Sequence, residues 1–147
     1  MEWFKMNSYK VLKEKQQKEV NEFPMVFAFS NKQFDEAMEK LGLKSTDTDK
    51  IFSIGLGGFI KKEDSVKLQE MMNRHDKEIK EAMQDDQFAY DAFYYELGNH
   101  EFIITYDTDD AICALGYTPT EINNNKRLLD ILKKAVEGQR EWYNNNK

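Results

Sequence analysis

Apolar residues along the chain fall into blocks that alternate between helical and extended spacing. A charged opening segment, residues 4–22, carries a thin apolar stripe of Phe4, Val11, Leu12 and Val20, and Pro24 ends it. Met25-Val26-Phe27-Ala28-Phe29 is an unbroken apolar run too short for a buried helix, so it predicts a strand covered on both faces. Ser30 and Gln33 then make a Ser-x-x-Gln capping box. The helix it opens places Phe34, Ala37, Met38 and Leu41 on one face, and Gly42 stands where a left-handed cap is wanted.

The apolar pairs Ile51-Phe52 and Phe59-Ile60, with Gly55-Leu56-Gly57-Gly58 between them, predict a β-hairpin. From residue 64 a long helical pattern follows, with Leu68, Met71, Met72, His75, Ile79 and Met83 along one side. It continues with a bend near Asp85-Asp86 through Phe88, Ala92 and Tyr95 to Gly98. Residues 101–106, with Phe102, Ile103, Ile104 and Thr105, predict a fourth strand. Asp107 with Asp110 caps a short helix that Gly116 closes, and Thr118-Pro119-Thr120-Glu121 combines an N-cap, a proline at the first helical position and a capping-box Glu. The final helix is expected to run from there through Ile122, Leu129, Leu132, Val136 and Tyr143, with a frayed tail at 144–147. The sum is a single α+β domain over 1–147, with about four short strands, five or six helices and a peripheral N-terminal helix at 1–22.

Composition narrows the class. The 147 residues include 19 aromatics, enough for a packed core and too many for a disordered acidic tail. One cysteine, Cys113, excludes an intramolecular disulfide, and a net charge of −6 argues against direct nucleic-acid binding. The first residues lack the apolar core of a signal peptide, and no apolar run approaches a membrane span. A soluble, cytoplasmic protein is expected.

Charge is unevenly spread. Residues 81–125 contain ten acids and no Lys or Arg, while the other 102 residues carry 21 bases and 17 acids. The same block holds eight of the aromatics. An acidic, tyrosine-rich surface steers a basic partner and offers it rigid apolar area. The candidate contact residues are Asp85, Asp86, Tyr90, Asp91, Tyr94, Tyr95, Glu96 and Asp109. The competing reading neutralises the block against the chain's own basic helices, around Lys10–Lys18 and Lys126–Lys134.

Other chemistry is weaker in the sequence. A small-ligand or nucleotide site could form from the glycine turn (Gly55, Gly57, Gly58) with Asn99, His100 and Glu101, although no phosphate-loop lysine follows. A metal-dependent hydrolase ranks third, because a strand at 101–106 holds His100 and Asp107 about 20 Å apart at roughly 3.3 Å per residue. His75 reads as a boundary residue of an apolar face, Cys113 as a small core residue, and Ser30 as a cap. No catalytic residue, metal or cofactor is assigned.

Phe27-Ala28-Phe29-Ser30-Asn31-Lys32-Gln33-Phe34, the stretch Ser53-Ile54-Gly55-Leu56-Gly57-Gly58-Phe59-Ile60, the pair Tyr106-Asp107 and the run Ala111-Ile112-Cys113-Ala114-Leu115-Gly116 resemble a family of small uncharacterised proteins of bacteriophages and gut bacteria. The resemblance covers the chain from about residue 23 and brings no activity or site residues. It implies a phage accessory setting, in which an acidic binding module occupies a basic surface of a host protein, such as a nucleic-acid-binding defence component. A homo-oligomer is compatible with it.

Overall fold

The computed structural model describes residues 6–147; Phe4 of the predicted first stripe lies outside the described residues. The elements in order are α1 (Ser8–Glu22), β1 (Val26–Phe27), α2 (Asn31–Lys40), β2 (Ile51–Gly55), β3 (Gly58–Lys61), α3 (Ser65–Ala82), α4 (Asp86–Asn99), α5 (Phe102–Thr105), α6 (Asp109–Ala114), α7 (Pro119–Asn123) and α8 (Lys126–Asn146). The α+β class holds, with three strands among the described residues instead of four. Also among the described residues, no helix is long and apolar enough to cross a membrane. The chain divides into two compact units, Met1–Gln17 with His75–Lys147, and Lys18–Arg74.

In the smaller unit the strands form an antiparallel sheet in the order β1-β3-β2, with Val26 opposite Phe59 and Phe52 opposite Ile60. Phe59 and α2's Ala37, Met38 and Leu41 form its core cluster, with Phe34 5.4 Å from Phe59 between ring centroids. Ser30 caps α2 as expected, its hydroxyl accepting from the Gln33 N–H at 3.2 Å. Gln33 does not close the box, however. Its side-chain oxygen accepts from the Phe29 N–H at 2.8 Å, one residue earlier. The predicted strand over 25–29 is corrected in extent and in burial. Only Val26 and Phe27 pair, at the sheet edge, and Phe27 and Phe29 are exposed. An edge strand with one open face cannot bury alternate side chains on both sides.

The larger unit is built around α4. Ala89, Ala92, Phe93 and Leu97 are sealed between Tyr9 of α1, Met83 at the end of α3, Ile112 of α6, Ile122 of α7 and Leu132 of α8. The expected bend after α3 is a full break, where Asp85 accepts from the Phe88 N–H at 2.9 Å and starts a new helix. The Thr118 and Glu121 capping box forms in full. The helix it opens stops at Asn123, because Asn125 accepts from the Leu128 N–H at 3.1 Å and recaps the chain into α8. Helix α8 runs to Asn146, where a frayed tail was expected. Asp107 also acts one residue off its expected place: Thr108 holds the N-cap position of α6, and Asp107 accepts from the Asp109 N–H at 2.8 Å.

The strand predicted over 101–106 is overturned. Phe102–Thr105 is a single helical turn between two left-handed residues, Glu101 (φ 55°) and Tyr106 (φ 55°). The β-branched residues Ile103, Ile104 and Thr105 favour extension, but Phe102 is pulled into the core and packs edge-on against Tyr106 at 5.8 Å. Tertiary packing outweighs local propensity here. Cys113, expected in the core, is exposed.

Candidate functional site

Helix α4 is apolar on nearly every side, so its two mid-helix acids cannot face solvent. Asp91 is 7% exposed and accepts from the Ser8 N–H (2.9 Å), the Ser8 hydroxyl (2.7 Å) and Gln87 Nε2 (2.8 Å). Glu96 is fully buried, accepting from the Tyr9 hydroxyl at 3.0 Å and pairing with Lys13 at 3.2 Å. Burial, then the Glu96 carboxylate, raises the Tyr9 hydroxyl well above the ordinary phenol range. Lys13 Nζ also stands 5.6 Å and 5.5 Å from the ring centroids of Tyr9 and Tyr95. An acid inside such a helix must be paired or hydrogen-bonded, and both are.

The opposite flank of α4 meets α8. Gln139, itself buried, donates to the Tyr94 carbonyl at 2.8 Å and ties the two helices together. Gly138 lies under Tyr90, and a Cβ there would stand 2.3 Å from the Tyr90 hydroxyl. Tyr90 and Tyr94 are half-buried and stacked, with centroids 6.0 Å apart and planes at 22°. Burial raises the Tyr90 hydroxyl above its ordinary value, and Tyr94, Glu141 and Asp91 add to the shift.

Two depressions lie on this flank. One, of about 540 Å³, is walled by Tyr90, Tyr94, Trp142, Asp91, Glu141 and Met6 among others. The second, of about 580 Å³, is lined mainly by Tyr94, Phe102, Ile103, Ile104, Trp142 and Tyr143, with Glu101 at its rim. They share Tyr94 and Trp142 as lining residues, and this pair of adjoining depressions, one carboxylate-bearing and one apolar, is the candidate cleft. Ile104 is 76% exposed and Trp142 56% exposed, an unusual outlay of apolar area on a water-facing surface.

Of the eight contact residues predicted from sequence, the structure gathers three at this cleft: Tyr90, Asp91 and Tyr94. Tyr95 and Glu96 belong to the α1 contact instead. Asp85 caps α4, and Asp86 pairs with Arg127. Asp109 lines a separate depression with Lys133 and Arg140. The acidic block is therefore no continuous surface, and part of it is spent internally. Ile104, Glu141, Trp142 and Tyr143 were not foreseen. Ile104 and Tyr143 read as parts of a strand and of a helix's apolar face, and nothing in the sequence singles out Glu141 or Trp142.

The family comparison covers most of this architecture, matching residues 8–138. The chain belongs to the family of unknown function DUF7659. The DUF7659 match includes α1, which the sequence reading left outside the resemblance, and spans Tyr90, Asp91, Tyr94, Ile104 and Gly138; Glu141, Trp142 and Tyr143 follow it. No curated protein and no solved structure matches the chain.

The other candidates fall in different units. Gly55, Gly57 and Gly58 lie in the smaller unit, and Asn99, His100 and Glu101 in the larger. Phe29 packs over Gly57 and Phe27 over Gly58, leaving 2.7 Å for a Cβ at either, which accounts for both glycines structurally. Asn99 donates to Glu96 at 3.3 Å. Because α5 is helical, at about 1.5 Å per residue, the separation argued from a strand between His100 and Asp107 no longer applies. Among the described residues, no three His, Cys, Asp or Glu converge to hold a metal.

Proposed function

We propose that this chain is a protein-binding module whose cleft between α4, α5 and α8 receives an amphipathic, basic segment of a partner protein. One observation supports the reading: an apolar depression and a carboxylate-bearing one adjoin, with Tyr94 and Trp142 lining both. A segment with apolar side chains followed by a basic one matches that order, with aromatic anchors supplying the contact area and carboxylates the orientation. Charge supports it too. The larger unit holds 17 acids against 12 bases, while the smaller is nearly balanced at 10 against 9. In the phage setting that the sequence resemblance implies, the partner is a host protein with a basic surface of the kind that binds nucleic acid.

The test is capture from a bacterial host lysate by the intact chain, its Ile104→Glu variant and its Glu101→Lys/Glu141→Lys variant, at low and high salt. The expected result is a partner held by the native chain and lost from Ile104→Glu. Its retention on the double reversal should fall about tenfold at low salt and converge with the native chain at high salt. Equal retention on all three overturns the reading.

A further inference from the structure

The carboxylate-bearing end of the cleft has the composition of a cation receptor. The stacked rings of Tyr90 and Tyr94 and the half-exposed Trp142 line it, and aromatic faces carry negative charge density that attracts organic cations. Two carboxylates flank them. All three donors to Asp91, namely the Ser8 N–H, the Ser8 hydroxyl and the Gln87 amide, are neutral, so no cation among the described residues offsets its charge. Glu141 is exposed at the rim. Gly138 makes the arrangement possible, because any side chain on α8 at that point would displace the Tyr90 ring.

The chain builds the same chemistry twice for its own lysines. Lys13 sits between Tyr9 and Tyr95 against Glu96, and Lys80 stands 4.1 Å over the Tyr117 ring while donating to the Gly116 carbonyl. At Tyr90, Tyr94 and Trp142, no lysine or arginine among the described residues takes that place.

Building on the protein-binding reading, we infer that this end of the cleft is a receptor for one basic side chain of the partner, its guanidinium or ammonium head seated against Tyr90, Tyr94 and Trp142 between Asp91 and Glu141. The apolar end then takes the neighbouring apolar side chains of the same segment.

The test is a titration of the full chain, followed by amide and indole NMR shifts, with N-acetyl-arginine amide, N-acetyl-lysine amide and the uncharged N-acetyl-citrulline amide. Saturable shifts around Tyr90, Tyr94 and Trp142 are expected with at least one cation, about tenfold stronger than with citrulline. The arginine and lysine arms identify the head group. Trp142→Ala and Glu141→Gln, both at exposed positions, are expected to weaken it several-fold with the rest of the spectrum unchanged. Absence of a saturable shift with either cation, citrulline binding equally well, or variants binding like the native chain would each overturn the inference. Should the cations fail while Ile104→Glu still abolishes partner capture, the receptor falls and the protein-binding reading stands. Should they bind while all three chains of the capture experiment retain partner equally, the cation receptor stands and that reading falls.

Discussion

Lys13 and Glu96, 83 positions apart in the chain, meet at 3.2 Å with the carboxylate fully buried. The pair pins α1 to α4, and Tyr9 and Asn99 complete the coordination of the acid. Removing the lysine strands a charge in the core. Lys13→Met is expected to cost about 2 kcal/mol by urea denaturation, below the roughly 3–5 typical of a broken buried pair because Lys13 is itself 41% exposed. Replacing both partners, as Lys13→Met with Glu96→Leu, should recover part of that loss; equal cost for the single and double variants would contradict the role given to the pair.

The Tyr9 hydroxyl gives this same contact an alkaline signature. Its pKa is raised above the ordinary value of about 10, first by burial and then by Glu96. Between the unfolded and folded pKa values the folded state therefore binds the extra proton. The stability that Tyr9 contributes is fully present below pH 10 and declines as pH rises above it, by up to about 1.4 kcal/mol per pH unit. Tyr9→Phe should flatten that decline in a comparison of melting temperatures between pH 9 and 11. A native and a variant curve that stay parallel would exclude the linkage.

Gly138 inverts the usual rule for helices. Glycine to alanine in a helix interior normally stabilises by about 0.5–1 kcal/mol. Here the new methyl would meet the Tyr90 hydroxyl at 2.3 Å, so Gly138→Ala is expected to destabilise by about 1–3 kcal/mol. Adding Tyr90→Phe removes the hydroxyl and should relieve most of the cost. A stabilising Gly138→Ala, measured by the same unfolding titration, would show that Tyr90 does not lie across α8.

Leu56 holds a left-handed backbone (φ 54°) at the hairpin tip and is 93% exposed, so its side chain contributes almost nothing to the fold. Leu56→Gly should raise stability by about 1 kcal/mol, the cost of that conformation for an L-residue. Thermal melts of the two proteins decide it; a lower melting temperature for the glycine variant would mean that Leu56 packs on something.

Local grammar was legible from the residues themselves. Ser30 and Thr118-Pro119-Thr120-Glu121 announce helix starts because short polar side chains reach backbone N–H groups within three residues. Gly42 and Gly116 mark helix ends because left-handed φ is nearly free only for glycine. The hairpin followed from two short apolar runs about a glycine turn. None of these needs a distant partner.

Tertiary structure decided what depends on such partners. The same apolar run that reads as a strand at 102–105 becomes a helical turn once Phe102 is committed to the core. The carboxylates of Asp91 and Glu96 look available in a list of acids, yet the apolar residues surrounding them on α4 force both inward, onto Ser8, Tyr9 and Lys13. The cleft depends on α8 crossing α4 at Gly138, which brings Trp142 beside Tyr94 from 48 positions away. Capping and turn chemistry act over three or four residues and are written in the order of the chain, whereas burial and charge pairing depend on which surfaces meet, and that is settled only when the helices pack.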